Sequence, residues 1–229
     1  MVIRNLALVK ERIEKAAKRA GRNPAEIRLL PVTKTADIRQ LQEVLMSGVS
    51  DIAENRVKDA LLKYNLLGKT AKNAKWHMIG HLQTNKAALC LSIFDIIHSL
   101  DSIHLAREID KQAYALGKHI DCLVEVNISG ESSKYGISPS DIFSFVEEAS
   151  RLPNVNLTGL MTIAPMARNK EDARPYFNSL RALRDGVISA GYRSIKELSM
   201  GMTQDFETAV EEGATIVRIG SAIFNNQAG

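Results

Sequence analysis

The sequence predicts a single (β/α)8 TIM barrel with an extra N-terminal helix. Three observations lead there. Eight short apolar segments alternate with helix-type segments along 229 residues, close to the usual length of that fold. Several of these segments are continuous apolar runs without alternation, as parallel strands covered on both faces require. No linker, low-complexity stretch or repeat divides the chain, so residues 1–229 read as one domain. A doubly wound open sheet is the runner-up, since strand number is a soft reading of a single sequence.

The elements follow in order. Leu6, Val9, Ile13, Ala16 and Ala20 make an apolar stripe at helical spacing over the first 20 residues, and Gly21 can end it. Strands are expected at 28–34, 49–53, 76–79, 95–99, 122–128, 157–163, 195–199 and 215–219. Between them, Thr35 can cap a helix carrying Ile38, Leu41 and Leu45, and Asn55 one carrying Val57, Leu61 and Tyr64. Ser102 can cap a helix that runs to Gly117, and Ser138-Pro139 opens one that stops at Leu152-Pro153. Pro175 opens another, which reaches Gly191, and Thr203 caps the last, which Gly213 ends. Segment 84–91 is the weakest helix.

Composition narrows the function classes. A hydrophobic share of 45% supports a sizeable core, and 24% charged residues is ordinary for a soluble chain. The net charge of +4 comes from basic residues interleaved with acids, without a basic run carrying aromatics, so nucleic acid is disfavoured. A site for a small anion accounts for the excess. Cys90 and Cys122 form no C-x-x-C and match no zinc spacing, and read as free buried thiols in a reducing compartment. The N-terminus carries no signal or transit pattern, and no stretch approaches the roughly 20 apolar residues a bilayer span needs. The expectation is a cytoplasmic protein without membrane contact.

Lys34 is the residue of greatest chemical interest. It closes an apolar strand where a helix begins, which would hold its stem in apolar surroundings and partly desolvate its ammonium. A neutral lysine attacks aldehydes and forms Schiff bases. The alternative is a surface lysine whose charge reaches water. In a barrel of this kind the site lies at the C-terminal ends of the strands. Those ends hold Lys34, Glu54-Asn55, Gly80-His81, residues 99–101, Asn127, Met161-Thr162, residues 199–203 and residues 218–221. The loops after strands seven and eight are the habitual phosphate site, and Gly201 and Gly220 let backbone N–H groups approach an anion while Thr203 and Ser221 add hydroxyls. Read separately, each is an ordinary turn glycine or cap; it is their pairing at the ends of strands seven and eight that points to a phosphate. Arg218, inside an apolar strand, either pairs with an acid in the barrel wall or faces a ligand acceptor. His77 and His81 share no helix face and H-E-x-x-H is absent, so no metal is expected; His77 reads as a satisfied core residue and His81 as a ring contact. Trp76 reads as packing. Met161, Met166, Met200 and Met202 line a site wall or fill the core.

Taken together, Val32-Thr-Lys34-Thr, Ala53-Glu-Asn55, Trp76-His-Met-Ile-Gly-His-Leu-Gln-Thr-Asn-Lys86, Ile97-His-Ser-Leu-Asp-Ser102, the Val126–Gly136 segment, Gly159-Leu-Met161, Leu198-Ser-Met-Gly-Met-Thr203 and Val217-Arg-Ile-Gly-Ser-Ala-Ile-Phe224 resemble the YggS/PROSC-type pyridoxal phosphate homeostasis proteins, over nearly the whole chain and in order. The resemblance implies a fold-type III barrel similar to the N-terminal domain of alanine racemase, with pyridoxal 5′-phosphate as a Schiff base on Lys34. It implies Arg218 near the pyridine nitrogen and Gly220-Ser221 near the phosphate, with Ser199, Met200, Gly201, Met202 and Thr203 completing the cradle and Asn55 and His81 near the ring. Two positions depart from the pattern: Ala53 replaces the usual glycine before Glu-Asn, and Asn225 replaces the glycine that commonly follows Ile-Phe.

The implied function is cofactor homeostasis: buffering pyridoxal phosphate and delivering it to apo-enzymes that depend on it, without catalysis. An arginine facing the pyridine nitrogen stays charged and keeps that nitrogen unprotonated, which weakens the ring as an electron sink. Racemisation needs acid–base groups on both faces of the substrate carbon, and in alanine racemase one comes from a second domain and a dimer partner. This chain reaches Gly229 soon after the eighth strand, so that domain is expected to be missing and the protein to be a monomer. A low-activity alanine-type racemase is the alternative. Without the resemblance, a Schiff-base aldolase acting on a sugar phosphate is a third reading.

Overall fold

Eight strands form one parallel sheet: β1 (Arg28–Pro31), β2 (Asp51–Glu54), β3 (Lys75–Met78), β4 (Ile96–Leu100), β5 (Ile120–Glu125), β6 (Val155–Met161), β7 (Glu197–Ser199) and β8 (Ile216–Ile219). Their order is β1-β8-β7-β6-β5-β4-β3-β2. The seam between β1 and β2 closes through a parallel bridge, Val32 to Ala53, where the Thr33 N–H donates to the Ala53 carbonyl at 2.9 Å. The computed structural model describes residues 1–165 and 169–225.

The apolar runs divide by face. Leu30, Val32, Ala53, Ile79, Ile96, Leu123, Met161 and Ile216 point inward and make one small cluster. Their neighbours point outward and join the helices in a second, larger core. Because both faces are buried, the strands lack the alternation of a half-exposed sheet.

The helices are α1 (Val2–Arg19), α2 (Ile38–Met46), α3 (Val57–Leu67), α4 (Ala87–Leu91), α5 (Ile103–Ala115), α6 (Ile142–Ala149), α7 (Arg174–Ser189), α8 (Phe206–Glu211) and α9 (Ser221–Phe224). The predicted extra helix is α1, and it packs on α8 and α9, with Asn5 donating to the Ile223 carbonyl at 3.0 Å. Several predicted helix starts move. Asp37, not Thr35, caps α2 through a capping box with Gln40, because Lys34-Thr35 are used in a turn. Arg56 occupies the cap position of α3 in place of Asn55. Ser138 makes no capping bond: Pro139–Asp141 form a 3-10 turn, and α6 stops at Ala149, three residues before Leu152. Asp205 replaces Thr203 ahead of α8. Segment 84–91 is a 3-10 turn followed by α4. Ser102 caps α5 as expected, its hydroxyl accepting from the Leu105 N–H.

Cys90 and Cys122 are free and buried. Burial pushes the Cys90 thiol up to about 12 and Cys122 further, so neither is a thiolate at neutral pH. Trp76 packs between Tyr64 and Phe94 and donates its Nε1–H to the Ala71 carbonyl at 3.0 Å. Among the described residues no helix is long and apolar enough to cross a membrane.

Candidate functional site

At the β1 end, Lys34 is exposed, and among the described residues its ammonium makes no hydrogen bond or ion pair. This corrects the expected partial desolvation: the apolar run stops at Val32 and the buried Thr33, and the chain then turns outward. The backbone beneath Lys34 is held instead. Thr33 Oγ1 donates to Glu54 Oε1 at 2.7 Å, and Lys63 Nζ reaches both that oxygen at 2.6 Å and the Thr33 carbonyl at 2.5 Å. Glu54 is fully buried, and its carboxylate is paired by a lysine from α3.

At the β2–β4 ends, Gly80 lies so close to Asn55 that a Cβ there would sit 2.2 Å from the Asn55 carbonyl oxygen. Only a glycine at 80 lets the two backbones pack this closely, and the Asn55 Oδ1 is buried without a partner among the described residues. His81 Nδ1 lies 2.9 Å from Asp101 Oδ2, and its ring stacks on Tyr135 at 3.8 Å and 10°. The loop after β5 delivers Tyr135. Asn127 organises that loop, donating to the Glu131 and Lys134 carbonyls and accepting from the Gly130 N–H.

At the β7 and β8 ends, Arg218 is buried at 3% exposure. It donates through Nη1 to Ser199 Oγ at 2.7 Å and through Nη2 to the Thr162 carbonyl at 2.8 Å. Among the described residues no carboxylate lies within ion-pair distance of it, so the wall-pair alternative is not what the barrel builds. Burial lowers its pKa to about 10, against the pull of Glu125 and Asp205, and it remains charged at neutral pH. Ser199 and Met200 are both fully buried. The Ser199 hydroxyl is engaged by Arg218 and His98, and the Met200 side chain faces the outer core. The Met202 N–H donates to Asp205 Oδ1 at 2.6 Å and is not free for an anion. Thr203 and Ser221 do come together, Ser221 Oγ donating to Thr203 Oγ1 at 3.1 Å. Beside them the first N–H groups of α9, which have no carbonyl within the helix, open next to Gly220. Gly201, at φ +88°, is required by packing: a Cβ would meet the Ala209 Cβ at 2.5 Å. Met161 faces the barrel interior, Met202 is exposed, and Met166 lies outside the described residues.

Sequence reasoning missed Glu125, at the end of β5. Burial first, and the Asp101 carboxylate second, push its carboxyl up to about 7, while Arg218 pulls it down. His77 is the satisfied core histidine that was expected, while His98, to which the sequence reading gave no role of its own, is its partner at 2.9 Å inside the barrel.

The family described as alanine racemase, N-terminal domain, matches residues 5–227. The chain belongs to that family. A pyridoxal phosphate homeostasis protein of Aquifex aeolicus is 44% identical over 222 residues, 97% of this chain and 96% of that protein. PipY of Synechococcus elongatus, solved with PLP bound, superposes with a TM-score of 0.81 at 31% identity, over 93% of this chain and 100% of that one. An alanine racemase of Clostridium difficile gives a TM-score of 0.76 at 16% identity, this whole chain matching 57% of the racemase, and so shares the fold. β1 and β8 are neighbours in register, with Leu30 opposite Arg218 and Pro31 opposite Ile219, so the chain segments leading to Lys34 and to Gly220 run side by side.

Proposed function

We propose that this chain binds pyridoxal 5′-phosphate in the cytoplasm and serves its homeostasis, buffering the cofactor and passing it to apo-enzymes, as a monomer. The observation that carries this reading is the pairing of β8 with β1: a buried, charged Arg218, held in one orientation, lies opposite Leu30, four residues before an exposed Lys34 that has no partner among the described residues. The fit of the residues to the cofactor is supported by three features. The Nε of Arg218 makes no hydrogen bond among the described residues and suits a ring-nitrogen acceptor. The Thr203–Ser221 hydroxyl pair and the start of α9 suit a phosphate. The orphaned Asn55 Oδ1 suits a ligand donor. When bound, pyridoxal phosphate supplies an aldehyde that condenses with an amine. Lys34 supplies that amine, Arg218 holds a positive charge where a protonated pyridine would be repelled, and Asn55 and His81 border the ring. Delivery rather than turnover is supported by the names of the relatives and by the exposure of Lys34, His81, Met202 and Ser221, which leaves the site open to a recipient.

A second reading, a low-activity alanine-type racemase, is favoured by one arrangement: His81, oriented by Asp101 and covered by Tyr135, is an acid–base group at the mouth. The two readings separate experimentally. Titration with pyridoxal phosphate, borohydride reduction and peptide mapping should give a visible band and a reduced adduct on Lys34. D-alanine formation that Lys34→Ala and His81→Ala both abolish would favour the racemase. A band with no turnover favours the carrier, and no band and no adduct removes both.

A further inference from the structure

Beneath the mouth, five side chains from five strands make an unbroken hydrogen-bonded file across the barrel. Arg218 Nη1 lies 2.7 Å from Ser199 Oγ, which lies 2.9 Å from His98 Nδ1. His98 Nε2 lies 2.9 Å from His77 Nδ1, and His77 Nε2 lies 2.9 Å from Asp51 Oδ1. Arg218, Ser199, His98 and His77 are at most 3% exposed, and Asp51 is 8% exposed. Only one arrangement of protons satisfies every link. Asp51 accepts from Ser50 and has its pKa held at about 2, with Arg28 nearby, so it is an ionised acceptor. His77 must therefore carry its proton on Nε2. Burial holds both imidazoles neutral. His77 Nδ1 is then bare and accepts from His98 Nε2–H, and His98 Nδ1 is bare and accepts from the Ser199 hydroxyl. Ser199 turns only lone pairs toward Arg218.

A satisfied polar network in a core can be purely structural. Two features exceed that role. Barrel interiors of this fold are normally filled by branched aliphatic residues, and this file runs among the inner aliphatic cluster instead. It also ends on a guanidinium that is oriented entirely by neutral acceptors, Ser199 Oγ and the Thr162 carbonyl. A contact carboxylate would orient Arg218 equally well but would neutralise the charge offered to a ligand.

We propose that Asp51, His77 and His98 are positioning residues for Arg218: the acceptor oxygen of Asp51 facing His77 Nε2 sets the tautomer of both histidines, and this sets the Ser199 hydroxyl as a pure acceptor that holds the guanidinium toward the mouth. The device acts from the opposite end of the barrel, through no residue that touches the ligand except Arg218. Its consequence for ligand binding rests on the cofactor reading above, whereas the tautomer order does not.

The test uses the full chain with 15N-labelled histidine and arginine, free of cofactor. In the wild type both His77 and His98 should be neutral Nε2–H tautomers, and Arg218 Nε–H a single sharp resonance. Asp51→Leu removes the terminal acceptor; it should convert His98 to the Nδ1–H tautomer, broaden the Arg218 signal, weaken pyridoxal phosphate binding by about tenfold and shift the band of the bound form. Asp51→Asn keeps an acceptor oxygen and should restore the wild-type pattern. Ser199→Ala, a one-atom deletion, covers the case in which Asp51→Leu does not fold: it should free Arg218 while leaving both tautomers unchanged. A wild-type His98 that is protonated or Nδ1–H overturns the proposal, as does an Arg218 signal indifferent to Ser199→Ala. Correct tautomers in a protein that binds no pyridoxal phosphate would instead refute the cofactor reading alone.

Discussion

Lys63 Nζ lies 2.6 Å from Glu54 Oε1, and the carboxylate of that pair is closed off from water. Thr33 donates to the same oxygen, so a residue just after β1, a β2 residue and an α3 residue share one buried charge, and Thr33 directly precedes Lys34. Breaking such a pair from one side leaves an uncompensated ion. Lys63→Ala should therefore destabilise by about 3–5 kcal/mol in urea unfolding, whereas the double variant Glu54→Gln, Lys63→Met should lose far less. Equal losses for the two would mean that packing, not charge, dominates at this seam.

Glu125 makes stability depend on pH. Its carboxyl rises from an ordinary 4.5 to about 7 on folding, mainly by burial. Between those values the folded state binds the proton that the unfolded state has lost. Stability from this group is thus fully present below about pH 4.5, falls as pH rises and is gone above pH 7. The amplitude is on the order of 3 kcal/mol. Glu125→Gln should flatten that segment of the pH–stability curve and raise the melting temperature at pH 8 more than at pH 5. A variant curve parallel to the wild type would place the titration elsewhere.

Gly201 and Gly220 serve different ends. A Cβ at Gly201 would meet Ala209 at 2.5 Å and Phe206 Cα at 3.0 Å, on a backbone at φ +88°. Gly201→Ala should cost about 2–4 kcal/mol of stability. At Gly220 the backbone is unstrained, and the same atom would lie 3.3 Å from the Val32 carbonyl oxygen, two residues before Lys34. Gly220→Ala should cost less than about 1 kcal/mol while weakening pyridoxal phosphate binding. Valine at Gly220 crowds β1 before it crowds a phosphate, so alanine is the cleaner probe. Urea melts and spectral titrations of both variants decide this; full affinity in Gly220→Ala would remove Gly220 from the cradle.

All eight strands were legible because burial on both faces writes itself as continuous apolar runs. Lys34 and Arg218 stood out because each breaks such a run with a charge. What escaped notice depends on distance along the chain. His98 meets Ser199 across 101 positions and His77 meets Asp51 across 26, and nothing local marks either histidine as one link of a file. Glu54 was read as a strand-end acid, but its partner Lys63 sits half-buried on α3, nine residues on, and nothing local marks the two as a pair. The cap of α2 was misplaced by two residues because Thr35 and Asp37 are both cap-type, and only the Gln40 spacing distinguishes them.

Lys34 is separable from the rest of the cradle by chemistry. If it anchors the aldehyde while residues near Gly220 hold the phosphate, two ligands should respond differently to Lys34→Ala. Pyridoxal 5′-phosphate should lose its borohydride-trapped adduct and bind about tenfold to a hundredfold more weakly. Pyridoxine 5′-phosphate, which carries an alcohol in place of the aldehyde and forms no imine, should bind wild type and variant alike. Because Lys34 is exposed and unpaired among the described residues, its removal leaves no buried group unsatisfied, and the melting temperature should stay within a degree or two. Parallel losses for both ligands would make Lys34 an electrostatic phosphate contact, and the covalent anchor would have to be sought on another lysine.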